Sequence, residues 1–224
     1  MSFTAFRHWL SLSLLVGFLL FFALSPLLQS SFVKNTSSPS ISGFFGLSWG
    51  TKRKNLELYM KDFSKDPLTE TVETGNETDA TLLLYRNVKV LDVKTNIGFL
   101  FDEGEELIMG FFLAPFDVKE QNCETIYRTF REKINNDYPS LPSAHERRNQ
   151  LEAPFCNAVA VGSAGQLHHW TDRNSLAQIQ LKVGMGLPGH VMVLFASPQY
   201  VKWIRRHDRS PEGVIKENVL PALE

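Results

Sequence analysis

The sequence predicts an α+β fold: an N-terminal transmembrane or signal helix, then antiparallel sheet with two helices packed on one face, in an order that reads as two helix-plus-strands repeats. Three observations carry this. Residues 9–28, opening on Trp9 and closing on Leu28, contain no charged side chain and match the length a helix needs to cross a bilayer. Two later stretches, 52–63 and 122–136, repeat apolar residues at the helical period. Around them, apolar and polar residues alternate in short runs separated by Gly-containing turns, the pattern of antiparallel strands with one wet face.

Arg7 ahead of the leading run favours a cytoplasmic N-terminus, and Lys34 beyond it narrows the bias. A removable leader needs small residues before its cut. Ala23-Leu24-Ser25 supplies them but is followed by Pro26, which blocks cleavage, and Leu28-Gln29-Ser30 is a poor substitute. An uncleaved signal anchor over residues 1–30 is therefore preferred, with a cleaved signal peptide as its alternative. Either exports the remainder. The expected protein is a single-pass membrane protein of a bacterial inner membrane whose C-terminal domain faces the periplasm, or one secreted after cleavage. No Cys follows the run, so the lipid-modified N-terminus of a lipoprotein is not expected. Residues 31–42 are too polar to pack and read as a flexible linker. Asn35-Thr36-Ser37 and Asn76-Glu77-Thr78 match glycan-acceptor triplets.

A formal net charge of -1 over 224 residues supplies no field for nucleic acid, so no such partner is expected. Cys123 and Cys156 would meet an oxidising compartment and can form one disulfide, two buried thiols being the alternative. Neither has a second Cys or His at ligand spacing, which argues against zinc.

Residues 43–50, Gly-Phe-Phe-Gly-Leu-Ser-Trp-Gly, predict a short extended lead-in whose rings dock on the core. A helix follows over 52–63, capped by Thr51 or Ser48, with Leu56, Tyr59, Met60 and Phe63 on one face. Residues 66–79, rich in Thr, Glu, Gly and Asn, read as a mobile loop. Strands are expected at 80–85, 88–93 and 97–101. A turn at 102–105 leads to a returning strand in which Leu107, Met109, Phe111 and Leu113 alternate, and Pro115 ends it. The second helix, from 117 or 122 to 136, turns Cys123, Ile126, Tyr127, Phe130 and Ile134 to one face. Residues 138–154, prolines around the charged His145-Glu146-Arg147-Arg148, read as a long connection. Strands at 155–161, 166–171, 177–183 and 190–196 complete a domain over 43–198, with candidate halves 43–116 and 117–198. Residues 199–224 read as a basic C-terminal extension, with a last short helix at 214–223.

Gly184-Met185-Gly186-Leu187-Pro188-Gly189 matches the dinucleotide-binding letters, but strand signals flank it where a strand-to-helix turn is required, so it reads as a hairpin turn. His168 and His169 are strand neighbours that project to opposite faces and cannot share an ion; one ring is expected beside Trp170 and the other in water. Ser163 lacks the elbow of a hydrolase nucleophile and reads as a turn, and Glu103, Glu105 and Glu106 read as solvated. No catalytic residue, metal site or cofactor is assigned. The basic features are the binding candidates. Lys52, Arg53 and Lys54 combine charge with backbone donors at a helix start, a seat for a phosphate or headgroup, against the alternative of a solvated turn. Lys202, Trp203, Arg205 and Arg206 could lie on an anionic membrane or partner, against the alternative of a charged surface extension.

The aromatic-x-Gly-hydrophobic-x-aromatic-Gly lead-in over 44–50, the helix after Thr51, Trp170-Thr171-Asp172 and Ile179-Gln180-Leu181 together resemble small bacterial envelope domains. These are the outer-membrane assembly lipoproteins and the β-lactamase inhibitor protein, which repeats such a unit twice. The resemblance spans roughly residues 43–197 and implies a non-catalytic interaction module. The chain departs from the lipoproteins in lacking their lipidated Cys, so their partners do not transfer. The expected function is thus a membrane-tethered domain that binds a protein or envelope component through a sheet face and the basic edge. One rival is an enzyme with dispersed catalytic residues, for which His145, His169 and Asp172 are the candidates. Another is a lipid or small-ligand carrier, which needs an apolar cavity between sheet and helices.

Overall fold

In the computed structural model of the protein, two sets of four consecutive strands, apolar at the centre and polar at the two edges, build an eight-stranded antiparallel sheet. The structure describes residues 40–61, 63, 68–74, 77–149, 154–184 and 187–206, all within one compact unit, Ser38–Glu224. The expected anchor at 9–28, both glycan-acceptor asparagines and the helix expected at 214–223 lie outside the described residues.

The elements in chain order are β1 (Gly43–Phe44), β2 (Leu47–Ser48), α1 (Arg53–Met60), β3 (Leu68–Thr74), β4 (Glu77–Val90), β5 (Val93–Asp102) and β6 (Leu107–Pro115). There follow α2 (Cys123–Asp137), β7 (Ser143–Asn149), α3 (Phe155–Ala160), β8 (Ala164–Thr171), β9 (Gln178–Gly184), β10 (Leu187–Ala196) and α4 (Pro198–Arg206). The strand order is β3-β4-β5-β6-β10-β9-β8-β7. The first half is thus a helix followed by a four-stranded meander, the second has the same order with α3 inserted between β7 and β8, and the halves join where β6 pairs with β10, with Phe112 opposite Val193. The hairpin of β1 and β2 stands apart from this sheet.

One face of the sheet carries Leu83, Tyr85, Ile97, Phe99, Phe112, Val193, Ile179 and Leu181, covered by α1, α2 and α3. The fold is α+β as expected, but three helices cover this face where two were expected, α3 being the addition. The opposite face is split. Leu82, Leu84, Leu100, Phe111, Leu113, Met192 and Leu194 make it apolar on β4, β5, β6 and β10, where Tyr200 and Trp203 of α4 pack. On β9 the same face shows Gln178, Gln180 and Lys182, the expected wet alternation.

Several elements differ from the sequence expectation. The loop expected at 66–79 is instead β3 and the start of β4, paired from Leu68↔Leu84 to Thr74↔Glu77; its threonines and Val72 favour extended backbone. The strands expected at 80–85 and 88–93 are largely one long strand, broken by a bulge at Arg86 and Asn87, and the chain reverses at Leu91 and Asp92. Asn87 takes a left-handed φ of 58°, and its N–H donates to Asn96 Oδ1. The connection expected at 138–154 contains β7, whose charges suit a sheet edge. Residues 155–161 form helix α3 instead of a strand, since a short apolar run fits either and the Cys156 bridge to α2 anchors it. The extension at 199–224 begins as α4, with Trp203 buried. Helix α1 is shorter than expected. Its N-cap is Lys52, while the Thr51 hydroxyl donates to the Ser48 carbonyl.

Candidate functional site

A cleft of about 530 Å³ lies on the helical side of the seam between the halves. Its floor is Phe112 of β6 with Val193 and Phe195 of β10. Phe44 of β1 tilts over them, its ring 4.8 Å from Phe112 and 5.2 Å from Phe195. Gly110 makes room for that ring: a Cβ there would stand 1.9 Å from Phe44 Cδ1. One wall is the turn between β1 and β2 with Tyr59 of α1, and the other is Phe130, Ile134 and Tyr138 of α2 and its C-cap. Val90 and Leu91 close one end.

The β1–β2 turn places both Phe45 and Gly46 at positive φ, 52° and 79°. Glycine accepts this, but a phenylalanine is disfavoured there, at a cost of about 1–2 kcal/mol. Phe45 offsets it by packing at 5.3 Å from Phe63, 5.9 Å from Phe112 and 6.3 Å from Tyr59. Tyr59 and Phe63 are also neighbours, at 5.7 Å. The mouth is thus rimmed by mutually supporting rings.

Polar groups share the lining with the rings. Lys133 Nζ and Asp137 Oδ1 form an ion pair at 2.6 Å on the rim, and Ser42 and Ser48 lie among the lining residues. Burial, and then the charge of Asp137, raises the Tyr138 phenol above its ordinary pKa, so it remains a neutral donor. Apolar walls with a narrow polar rim suit retention of an apolar group, with Tyr138 and Lys133 placed to meet a polar end.

The residues singled out by sequence fall in separate places. Lys52 Nζ contacts Glu106 Oε1 at 3.0 Å and donates to the Gly104 carbonyl, while Arg53 pairs with Glu57 at 2.8 Å. Both serve to brace α1, and Lys54 is exposed. Lys202 is exposed on α4, on the opposite face of the sheet. Trp203 is buried against that face, its ring stacked 5.8 Å from Tyr200. The side chains of Arg205 and Arg206 lie outside the described residues. Cys123 and Cys156 form a disulfide between α2 and α3.

His145, His169 and Asp172 are not gathered. His145 pairs across the strands with His168, and His169 with Ala144, which puts the two candidates on opposite faces. The Asp172 carboxylate caps a turn, accepting from the Asn174 amide and the Ser175 hydroxyl. His168 stacks 4.2 Å from Trp170, as expected, and 5.4 Å from His145. Burial lowers its pKa to about 4, aided by the charges of His145 and Arg131. Burial also lowers Lys182 to about 8, on the face away from the cleft, with Glu146 opposing the shift. Ser163 donates to the Ala158 carbonyl within a turn, and Glu103, Glu105 and Glu106 are exposed. Gly184 ends β9 opposite Leu187, so the glycine-rich segment lies at a hairpin. Among the described residues no group of three His, Cys, Asp or Glu could hold a metal, and no helix is long and apolar enough to cross a membrane.

The cleft itself was not legible beforehand. Phe44 and Phe45 announced rings that dock, but the helix pair that walls them becomes adjacent only through the pairing of β6 with β10. Compared with known proteins, the chain matches no family model, no curated protein and no solved structure.

Proposed function

We propose that this chain is a non-catalytic binding protein, tethered to a membrane by residues 9–28, whose exported domain takes the apolar part of an envelope component into the cleft between sheet and helices. The observation that carries the reading is the cleft of about 530 Å³, whose floor and walls are mainly aromatic and whose polar lining includes Ser42, Ser48, Lys133 and Asp137. Its position favours a carrier-like site over the basic edge, because Lys52 and Arg53 are engaged within the fold and Trp203 is buried. Kinship with the two-repeat envelope modules belongs to the same proposal, supported by the recurrence of a helix and four antiparallel strands in each half, with α3 inserted in the second.

The test places a photo-activatable phenylalanine analogue at Tyr138 of the full chain in intact cells, with the same group at Val161 as control. The expected result is an adduct at 138, identified by its mass as a lipid or apolar peptide, that 161 does not give. Absence of that adduct, or identical adducts at both positions, removes the cleft from the proposal. A reporter fused after Glu224 that proves cytosolic removes the exported location.

A further inference from the structure

We infer that His145 and His168 form a two-histidine site for a divalent transition-metal ion on the helical face of the sheet, at its β7 edge. Neighbouring histidines on one strand point to opposite faces, which separates His168 from His169. Strand pairing supplies a different partner. β7 and β8 run antiparallel with His145 directly opposite His168, so these two rings leave the sheet on the same side. Their centroids stand 5.4 Å apart. A tetrahedral ion bound at about 2.0–2.1 Å to one nitrogen of each ring holds the two imidazole centroids about 5 Å apart, so the pair already stands near chelating separation.

The second observation is that both ring nitrogens of His168, Nδ1 and Nε2, are covered by protein yet meet no hydrogen-bond partner among the described residues. Covered polar atoms are ordinarily bonded, and a neutral imidazole always keeps one lone pair to give. The ring is also held in place. Trp170 stacks on it at 4.2 Å and 17°, and the Trp170 indole N–H donates to Asn135 Oδ1 at 3.0 Å. His145 is exposed, so its ring can turn toward a shared ion whose remaining positions are left to water. Imidazole ligands in an open site suit Zn(II), Ni(II) and Cu(II), the last most tightly. Arg131 of α2 places positive charge beside His168, so the ion is held reversibly and not as a structural metal.

Trp170 lets the site report on itself, because bound Cu(II) quenches the fluorescence of an indole stacked on its ligand. The full chain, its disulfide intact so that no thiol competes, is titrated with Cu(II) in a buffer that does not bind metal. The expected result is saturable quenching at one equivalent, reversed by excess Zn(II). His145→Gln, at an exposed edge position, should weaken the binding by about 10–100-fold or more, the loss found when even a residue that only orients a metal ligand is removed. His169→Gln, on the other face of the sheet, should bind as the wild type does. Pulsed electron paramagnetic resonance of the one-equivalent complex should show two imidazole nitrogens in the wild type and one in His145→Gln. No saturable quenching, equal affinity in the wild type and His145→Gln, or a wild-type spectrum with a single imidazole overturns the inference. The wild-type spectrum decides even if a variant fails to fold.

Discussion

At the scale of single residues, the cleft depends on a side chain that is missing. Gly110 sits in β6 within the core, where alanine would ordinarily suit a strand better by up to about 1 kcal/mol. Here a Cβ would collide with the Phe44 ring, which must then leave its seat over Phe112 and Phe195. Gly110→Ala is therefore expected to destabilise, by about 1–3 kcal/mol, and to lose the adduct at 138 while keeping the fold; urea denaturation and the cross-link check both. A rise in stability would show that Phe44 does not need this seat. His168 offers a second residue-level prediction. Its folded pKa is lowered from 6.5 to about 4, so between those values the unfolded chain binds a proton that the folded chain refuses. Stability must fall as pH drops through that window. The charges of His145, Arg131 and His169 all oppose its protonation. Relative to His168→Gln, the wild type should lose thermal stability steadily from pH 6.5 toward 4, and a constant difference across that range would contradict the assignment.

At the scale of elements, α3 shows what the sequence could and could not reveal. Six residues without a side-chain cap cannot hold a helix in isolation. What fixes α3 is the bond from Cys156 to Cys123 and the burial of Ala158 and Val159, both of which depend on where α2 lies. The bridge was legible as a possibility from two cysteines and an exported location, while the helix was not, because a short apolar run fits strand or helix equally. The long periodic elements were legible for the opposite reason. Cys123, Ile126, Tyr127, Phe130 and Ile134 recur at a period that only α2 satisfies, and all are buried. The charged β7 was missed because its alternation is hidden by its place at an edge, where neither face is dry. Closing a loop of sequence separation 33 contributes about 3–4 kcal/mol in the chain-entropy account. Reduction of the disulfide should therefore lower the unfolding free energy by that order, and Cys123→Ala, Cys156→Ala and the double variant should lie close together. Amide exchange in α3 should accelerate first, which mass spectrometry of its peptide would detect. Unchanged stability under reductant would mean that packing alone holds α3 in place.

At the scale of the whole molecule, the halves are two meanders in sequence but one sheet in space. The seam runs from His190 opposite Pro115 to Ala196 opposite Met109. Both faces of the sheet are cored across it: Phe112 and Val193 on the helical side, Leu113 and Met192 beneath. No polar layer separates the halves along these strands, so each would expose apolar surface if the other opened. Unfolding should accordingly be a single cooperative event. Phe112 decides the matter, because its ring belongs to the first half yet contacts Phe130 at 5.9 Å and Phe195 at 6.4 Å in the second. Phe112→Ala should cost about 3–5 kcal/mol, and native-state hydrogen exchange should show the same loss of protection in β5 as in β9. If β5 weakened while β9 kept its protection, the halves would be separate folding units, and a cleft built across their seam could open without unfolding either one.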